Sequence, residues 1–255
     1  MISRPSSTIP LILETVRSFL KINPFTLDNT NVDGRVNSSV SEKIILNLIK
    51  DNLNSNFYKI PEIRSWYDIL LYDIDYKWIP VNIKISNCNR PDNIGNLACA
   101  VQAFTSYELD PHKNYDNGFL SKILIDSFKN GQYNTEIIKE PCDINECEPS
   151  IREPMQSLPL PIIKKKKDYF FLIINKSKLI SNGFLENEIF INSILSISQF
   201  TSNINNLPFQ INWSKNREPI DIPISEQIQK FKNLYKTAEQ PWSNGFINFM
   251  KELNK

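Results

Sequence analysis

Histidine is nearly absent from this chain: one residue, His112, in 255. Catalysis built on histidine pairs or on a His-rich metal centre is thereby excluded, and His112 itself sits in the turn-like stretch ELDPHKNYDNG, where it reads as a solvated loop residue. Glycine is also scarce, six residues in all, and none forms a GxGxxG fingerprint or a phosphate loop. Folds that cradle nucleotides on glycine-rich turns are disfavoured. The four cysteines, Cys88, Cys99, Cys142 and Cys147, contain a single close pair, whereas structural zinc needs two tight ligand pairs. No run approaches the roughly 18 consecutive apolar residues of a membrane span, since charges interrupt every apolar stretch. The apolar segment Ile9 to Leu13 ends at Glu14 and is too short for a secretory signal. The expectation is a cytoplasmic protein with reduced thiols and no membrane partner.

What is present is an ordinary balance for a globular protein, 41% apolar and 22% charged, with length enough to bury a full core without staples. The formal net charge of +1 conceals an asymmetry: residues 161–255 hold 13 Lys/Arg against 8 Asp/Glu, while the remainder is acidic. The C-terminal part is the more plausible anion-facing half, although surface scatter gives the same balance.

Apolar spacing predicts helices over 11–22, 38–53 (capped by Ser39 or Ser41, with Val40, Ile44, Ile45, Leu48 and Ile49 on its apolar face), 92–107 and 120–129. A short helix over 190–200 and C-terminal helices over 224–236 and 242–254 are also expected. The segment WYDILLYDIDYKWIPVNIKIS, 66–86, is rich in aromatic and β-branched residues and reads as two strands around a short turn. Residues 139–161 carry five prolines and predict a long loop. A buried strand with a basic entry follows over 164–178, then a late strand and turn over 207–218. The order implies one mixed α/β domain over 1–255, with a central sheet flanked by helices.

The hairpin is where chemistry concentrates. A turn centred on Asp75 pairs Tyr72 with Trp78 and sets Asp68 across from Asn82. Strand alternation puts Asn82, Lys84 and Ser86 on one face and Val81, Ile83 and Ile85 on the other, toward the core. A carboxylate, an amide and an ammonium then share one patch. Carboxylate and amide oxygens, with the Ile83 carbonyl as a third, suit Mg²⁺, and the ammonium suits an attacking water or a phosphate charge. A half-exposed hairpin with polar residues toward solvent shows the same alternation. Asp73 and Asp75 fall at the turn and read as solvated.

A strand Asp followed by a second strand reading PVNIKIS resembles the core of PD-(D/E)xK nucleases, especially type II restriction endonucleases. The resemblance implies a restriction-endonuclease-like fold with its catalytic core over about 38–107 and later strands over about 161–220. It implies Asp68, Asn82 and Lys84 as catalytic residues, with Asp68, Asn82 and Ile83 as ligands of Mg²⁺. Tyr67 stands where the motif has proline, and Asn82 where it has an acid; an N-x-K form is similar to that of some members. A helix carrying a Glu commonly precedes such a core, and Glu42 fits that place. The implied reaction is Mg²⁺-dependent hydrolysis of double-stranded DNA at a short specific sequence, leaving a 5′-phosphate. A homodimer and a cognate DNA methyltransferase partner go with it. The alternatives are a non-catalytic DNA-binding protein on the same fold and a repair or structure-specific nuclease.

Candidate DNA contacts are Asn87, Asn89 and Arg90 after the catalytic strand, the run Lys164, Lys165, Lys166 and Lys167, and Lys215 with Arg217 in WSKNRE. The lysine run is read equally well as a solvated edge. Trp66, Trp78, Phe104, Phe170 and Phe171 are expected in the core.

Overall fold

Helix α1, Leu11–Ile22, follows Pro10, whose carbonyl accepts the first-turn N–H groups of Leu13 and Glu14. The spacing of Leu11, Leu13, Val16, Phe19 and Leu20 predicts its apolar stripe; Leu13, Val16 and Leu20 are buried, Phe19 is half-buried, and Ile12 is buried in place of Leu11, which is exposed. In this computed structural model the residues described are 9–23, 25–27, 34–61, 65–134, 138–141, 162–165, 167–176, 188–201 and 209–237.

Helix α2, Gly34–Asn52, begins before the expected residue 38, so Ser39 and Ser41 lie inside it and do not cap it. Ser41 is buried on the same stripe as Ile45 and Ile49, four residues apart, while Val40 faces outward at 37% exposure. The buried stripe is thus set by period four from Ser41, and Val40 is excluded from it.

The hairpin forms in the expected register. Strand β2, Ile69–Asp73, pairs antiparallel with β3, Lys77–Ser86, with Tyr72 opposite Trp78. Lys77 takes a left-handed backbone, φ 58°, that closes the turn. Asp73 departs from the expectation of a solvated turn residue: it is buried, and its Oδ1 accepts the Asp75 N–H at 3.0 Å. That bond replaces the water the carboxylate gives up.

A two-residue strand β1, Tyr58–Lys59, edges the sheet beside β2. On the other side β3 runs parallel to β7, Phe170–Asn175, which pairs antiparallel with β8, Ile189–Ser193. The mixed five-stranded sheet has the order β1-β2-β3-β7-β8, with β3 in the middle. One face packs Ile69, Val81, Ile83 and Leu172 against α1 and α2. The other packs Leu70, Phe171 and Ile173 with the elements that follow β3.

Two helix expectations are corrected. Residues 92–94 form strand β4, Asp92–Ile94, in a three-stranded sheet with β9, Phe200–Thr201, and β10, Phe209–Ile211. The helix that was expected to open at 92 is α3, Ala98–Phe104, buried at all seven positions. Its first-turn donor at Ala98 is taken by Asn96 Oδ1 at 2.7 Å, so the cap lies beyond Gly95 rather than at Asp92 or Asn93. Likewise 190–200 gives β8 and a 3₁₀ turn, Ile194–Ser196, because β7 offers a pairing edge that an isolated sequence window does not show.

Helix α4, Asn117–Lys129, is capped by Asp116, which accepts the Phe119 N–H, and ends at Gly131, φ 65°, with the Gln132 N–H on the Ser127 carbonyl. Residues 138–141 and 162–165 pair as β5, Ile138–Pro141, and β6, Ile162–Lys165, so the predicted strand over 164–178 is split in two. Helix α5, Ile224–Thr237, buries Ile228, Phe231 and Leu234 against α3 and β9. The rest of the expected loop at 142–161, the helix at 242–254, Cys142, Cys147 and Lys166 lie outside the described residues.

Lys167 is a correction of a different kind. It is 2% exposed, and its ammonium donates to the carbonyls of Thr105 and Tyr107, with Glu108 at 4.0 Å. Its own carbonyl accepts the Asn134 side chain, which also bonds the Ala103 carbonyl, each at 2.7 Å. The next residue, Asp168, accepts the Ser193 hydroxyl at 2.6 Å. Lys167 therefore ties the end of α3 and the segment after α4 to the entry of β7, and is no phosphate contact. Lys167→Met keeps the buried stem but strands two backbone carbonyls. It should cost about 2–4 kcal/mol, read as a lower urea midpoint with an unchanged m-value. Affinity for duplex DNA should not change.

Candidate active site

A cleft of about 1090 Å³ opens at the middle of the sheet, and Glu42, Asp68, Asn82, Ile83 and Lys84 all line it. The sequence placed these five on two elements, α2 and the hairpin; the fold brings them to one wall and its facing rim. Asn82 and Lys84 project on the face of β3 opposite Val81 and Ile83, which are buried in the core.

Asp68 stands one residue before β2. Its N–H bonds the Val81 carbonyl at 3.0 Å, and its Oδ2 accepts the Ile83 N–H at 2.7 Å. The carboxylate thus substitutes for a backbone acceptor at the end of the ladder and is held in one orientation against β3. The preceding residues are anchored as well. The Trp66 carbonyl accepts the Tyr169 hydroxyl at 2.8 Å, and the Tyr67 hydroxyl donates to the Pro111 carbonyl at 3.0 Å. Tyr67, where proline would stand in the resembled motif, is a buried tether.

Asn82 Oδ1 is buried and, among the described residues, has no hydrogen-bond partner. An amide oxygen in that state costs free energy unless a ligand meets it. The rest of the side chain lies beside Tyr169. Burial raises that phenol well above its ordinary value, and the neighbouring Asp68 carboxylate adds to the rise, while a hydrogen bond with the Asn82 side chain acts against it. Cys99 lines the same cleft, but burial pushes its thiol up to about 12 even with the Lys84 ammonium pulling down. It stays a thiol and is no nucleophile.

The Mg²⁺ expectation is consistent with this donor set. Asp68 and the orphaned Asn82 oxygen are hard oxygen donors, and Ile83 contributes a carbonyl beside them. Among the described residues no three of His, Cys, Asp and Glu converge. A Mg²⁺ here would be held by one or two carboxylates and neutral oxygens, its remaining positions filled by water, a donor set Mg²⁺ accepts. Glu42, half-buried on the α2 side of the cleft, is the second carboxylate available.

Asp92 was not singled out in the sequence, where it was read as the opening of a helix. Its Oδ2 is buried without a hydrogen-bond partner among the described residues. Burial raises its carboxyl above the usual range, opposed by Ser86, Lys84, Trp213 and Lys176 in that order. The Lys84 ammonium thus acts electrostatically on a second carboxylate besides sharing the cleft with Asp68 and Asn82. The available signal was an Asp directly after Pro91, eight residues beyond Lys84.

The predicted DNA-contact residues divide. Asn87, Asn89 and Arg90 are exposed in the turn after β3, around Cys88 with its left-handed φ of 56°. Lys215 is exposed in a 3₁₀ turn. Arg217 is ion-paired with Glu188, Nη1 to Oε1 2.7 Å, and its guanidinium lies 5.9 Å from the Phe190 ring. The Glu188 hydrogen bond raises the Arg217 pKa further, so its charge is already balanced. Lys164 and Lys165 lie in β6, away from the five-stranded sheet's own pairing. Trp66, Phe104, Phe170 and Phe171 are in the core as expected, and Trp78 is partly buried against it.

No family model, curated protein or solved structure matches the chain.

The raised Asp92 carboxyl has a sign that can be checked. A carboxyl raised in the fold holds its proton more tightly there than in the unfolded chain. Its stabilisation is full below the unfolded value and is lost as pH climbs through the folded one. Asp92→Asn should therefore raise the urea midpoint at pH 7 relative to wild type. The advantage should shrink as pH falls toward the ordinary carboxylate range. A variant less stable than wild type at pH 7 would contradict the desolvated-carboxyl assignment.

Proposed function

We propose that this protein is a Mg²⁺-dependent DNA nuclease of the PD-(D/E)xK type, and specifically a type II restriction endonuclease acting on double-stranded DNA. The observation that carries the reading is the convergence in one cleft of the fixed Asp68 carboxylate, the unpartnered Asn82 oxygen and the Lys84 ammonium. Supporting it, helix α2 with Glu42 precedes the hairpin, and helix α3 follows the strand that bears Lys84. That is the order the resemblance implies for a restriction-endonuclease-like fold.

Asp68, Asn82 and the Ile83 carbonyl would hold Mg²⁺, which when bound polarises a phosphoryl oxygen and acidifies water. The chain's own groups do the rest. The Ile83 N–H keeps Asp68 from rotating. Lys84, on the same strand face as Asn82, donates N–H hydrogen bonds that position an attacking water or stabilise the charge that accumulates on the non-bridging oxygens of the scissile phosphate. Glu42 supplies an auxiliary carboxylate from the other rim. The product end is a 5′-phosphate. Exposed Asn87, Asn89, Arg90 and Lys215 are suited to duplex contacts. A homodimer matches a twofold-symmetric DNA site, and the protein works in the cytoplasm beside a cognate DNA methyltransferase.

One observation favours a second reading, a DNA-binding protein of the same fold without catalysis: Asn82 occupies a position where an acid would add a charged ligand. The two separate on digestion of a sequenced plasmid with purified protein, with and without Mg²⁺. Discrete fragments with 5′-phosphate ends are expected. Intact plasmid under every divalent condition, with duplex binding retained, selects the non-catalytic reading, and cleavage without sequence preference selects a repair nuclease.

Lys84→Ala should lower kcat by at least about a hundredfold while duplex affinity persists. A variant that still cleaves at the wild-type rate overturns the assignment of Lys84. Asn82→Asp adds an anionic oxygen at the same reach, so activity should persist at a lower Mg²⁺ requirement. An unchanged Mg²⁺ titration removes Asn82 from the ligand set.

A further inference from the structure

A second groove, of about 500 Å³, adjoins the catalytic cleft, and the two share Ile60, Pro61, Ser65 and Tyr67 in their linings. Beyond that shared wall the charge changes character. The cleft lining holds Glu42 and Asp68 together with Lys43 and Lys84, whereas among the described residues the ionisable side chains other than Tyr67 that line the second groove are Lys59, His112 and Lys113. Lys59 is exposed, and its ammonium sits 4.1 Å from the centre of the Trp78 ring, which limits where a flexible side chain carries its charge. Lys113 is exposed and rests 3.6 Å from Asp110, a surface pair of the kind that exchanges readily for a stronger anion. On that wall the Tyr67 hydroxyl is tied to the Pro111 carbonyl, and the carbonyl of the adjacent Trp66 accepts the Tyr169 hydroxyl.

We propose that this groove is the path of the DNA strand leaving the catalytic cleft, with Lys59 and Lys113 contacting backbone phosphates on the flank of the scissile bond. The proposal rests on the nuclease reading and extends it to residues that reading does not involve. Two features point to a phosphodiester backbone. The cations line a groove that shares a wall with the cleft of the reacting residues, and no carboxylate is found among the described residues of its lining. Contacts of this kind fix register and affinity and carry no sequence information.

The test is a salt titration of duplex binding by the full chain. Lys84→Ala serves as the background, so that Mg²⁺ can be present without hydrolysis. The probe is a fluorescent duplex long enough to extend beyond the cleft on both sides. Lys59→Gln with Lys113→Gln should reduce the slope of log K against log salt by about 1.8, two phosphate contacts at about 0.9 each. Affinity for random and cleaved-site duplexes should fall by the same factor. Lys122→Gln, an exposed lysine on α4 outside the groove, corrects for the general field and should leave the slope within error. A slope in the double variant equal to that of Lys122→Gln overturns the groove assignment while leaving the nuclease reading intact. Absence of any duplex binding by the background protein overturns both. A loss confined to one sequence would make these residues base readers and overturn the backbone path.

Discussion

The whole arrangement depends on β3 being held in the middle of the sheet, parallel to β7 from Val81↔Phe170 to Ser86↔Asn175 and antiparallel to β2 on its other edge. A strand in that position is covered on both faces, and such strands are normally apolar throughout. Strand β7 obeys: all six of its residues are buried, five of them apolar. Strand β3 does not. Its odd positions Val81 and Ile83 fill one core, while Asn82, Lys84 and Ser86 turn polar groups toward the other. Placing an ammonium and an unpartnered amide oxygen on a central strand opposes folding, and nothing in the packing requires it. The local conflict with the fold is the physical ground for treating this face as functional.

That conflict is tolerated because the surroundings are tied down by independent polar contacts. Asp68 caps the ladder through the Ile83 N–H, and the Trp66–Tyr67 segment is bonded to β7 and to the loop at 110–111. On the far side, Lys167 and Asp168 bind the entry of β7 to α3, to Asn134 and to β8. The two sets of bonds lie at the same end of β7, one built around a carboxylate and one around a lysine. Only the first leaves ligand-seeking atoms in an open cleft. The Lys167 set satisfies backbone carbonyls and is structural, which explains how a lysine in a basic run serves packing rather than DNA.

The electrostatics grade in the same direction. The cleft gathers Asp68, Glu42 and Lys84, and the Lys84 ammonium also opposes the desolvation of buried Asp92. Among the described residues, the adjoining groove is lined by Lys59, Lys113 and His112 without acids. A divalent cation and a polyanionic strand can thus be accommodated side by side. In the proposed reading, the carboxylates that would hold the first are kept apart from the surface that would meet the second.

The sequence alone determined the hairpin, its Tyr72–Trp78 register and the alternation that sets Asn82 and Lys84 apart from Val81 and Ile83. Those follow from period-two patterning and turn position, which are local. It also determined α1, α4 and α5 from their apolar stripes, with boundaries shifted only where caps such as Asp116 act. Tertiary structure decided the rest. Whether 190–200 became helix or strand depended on the open edge of β7. Asp92 fell in a strand because β10 was there to pair with it, and α3 began only where Asn96 could cap it. Lys167 was buried because three backbone segments converged on it. Nothing in a run of four lysines foretells that the Lys167 ammonium meets two carbonyls, since those carbonyls belong to residues 62 and 60 positions away in the chain.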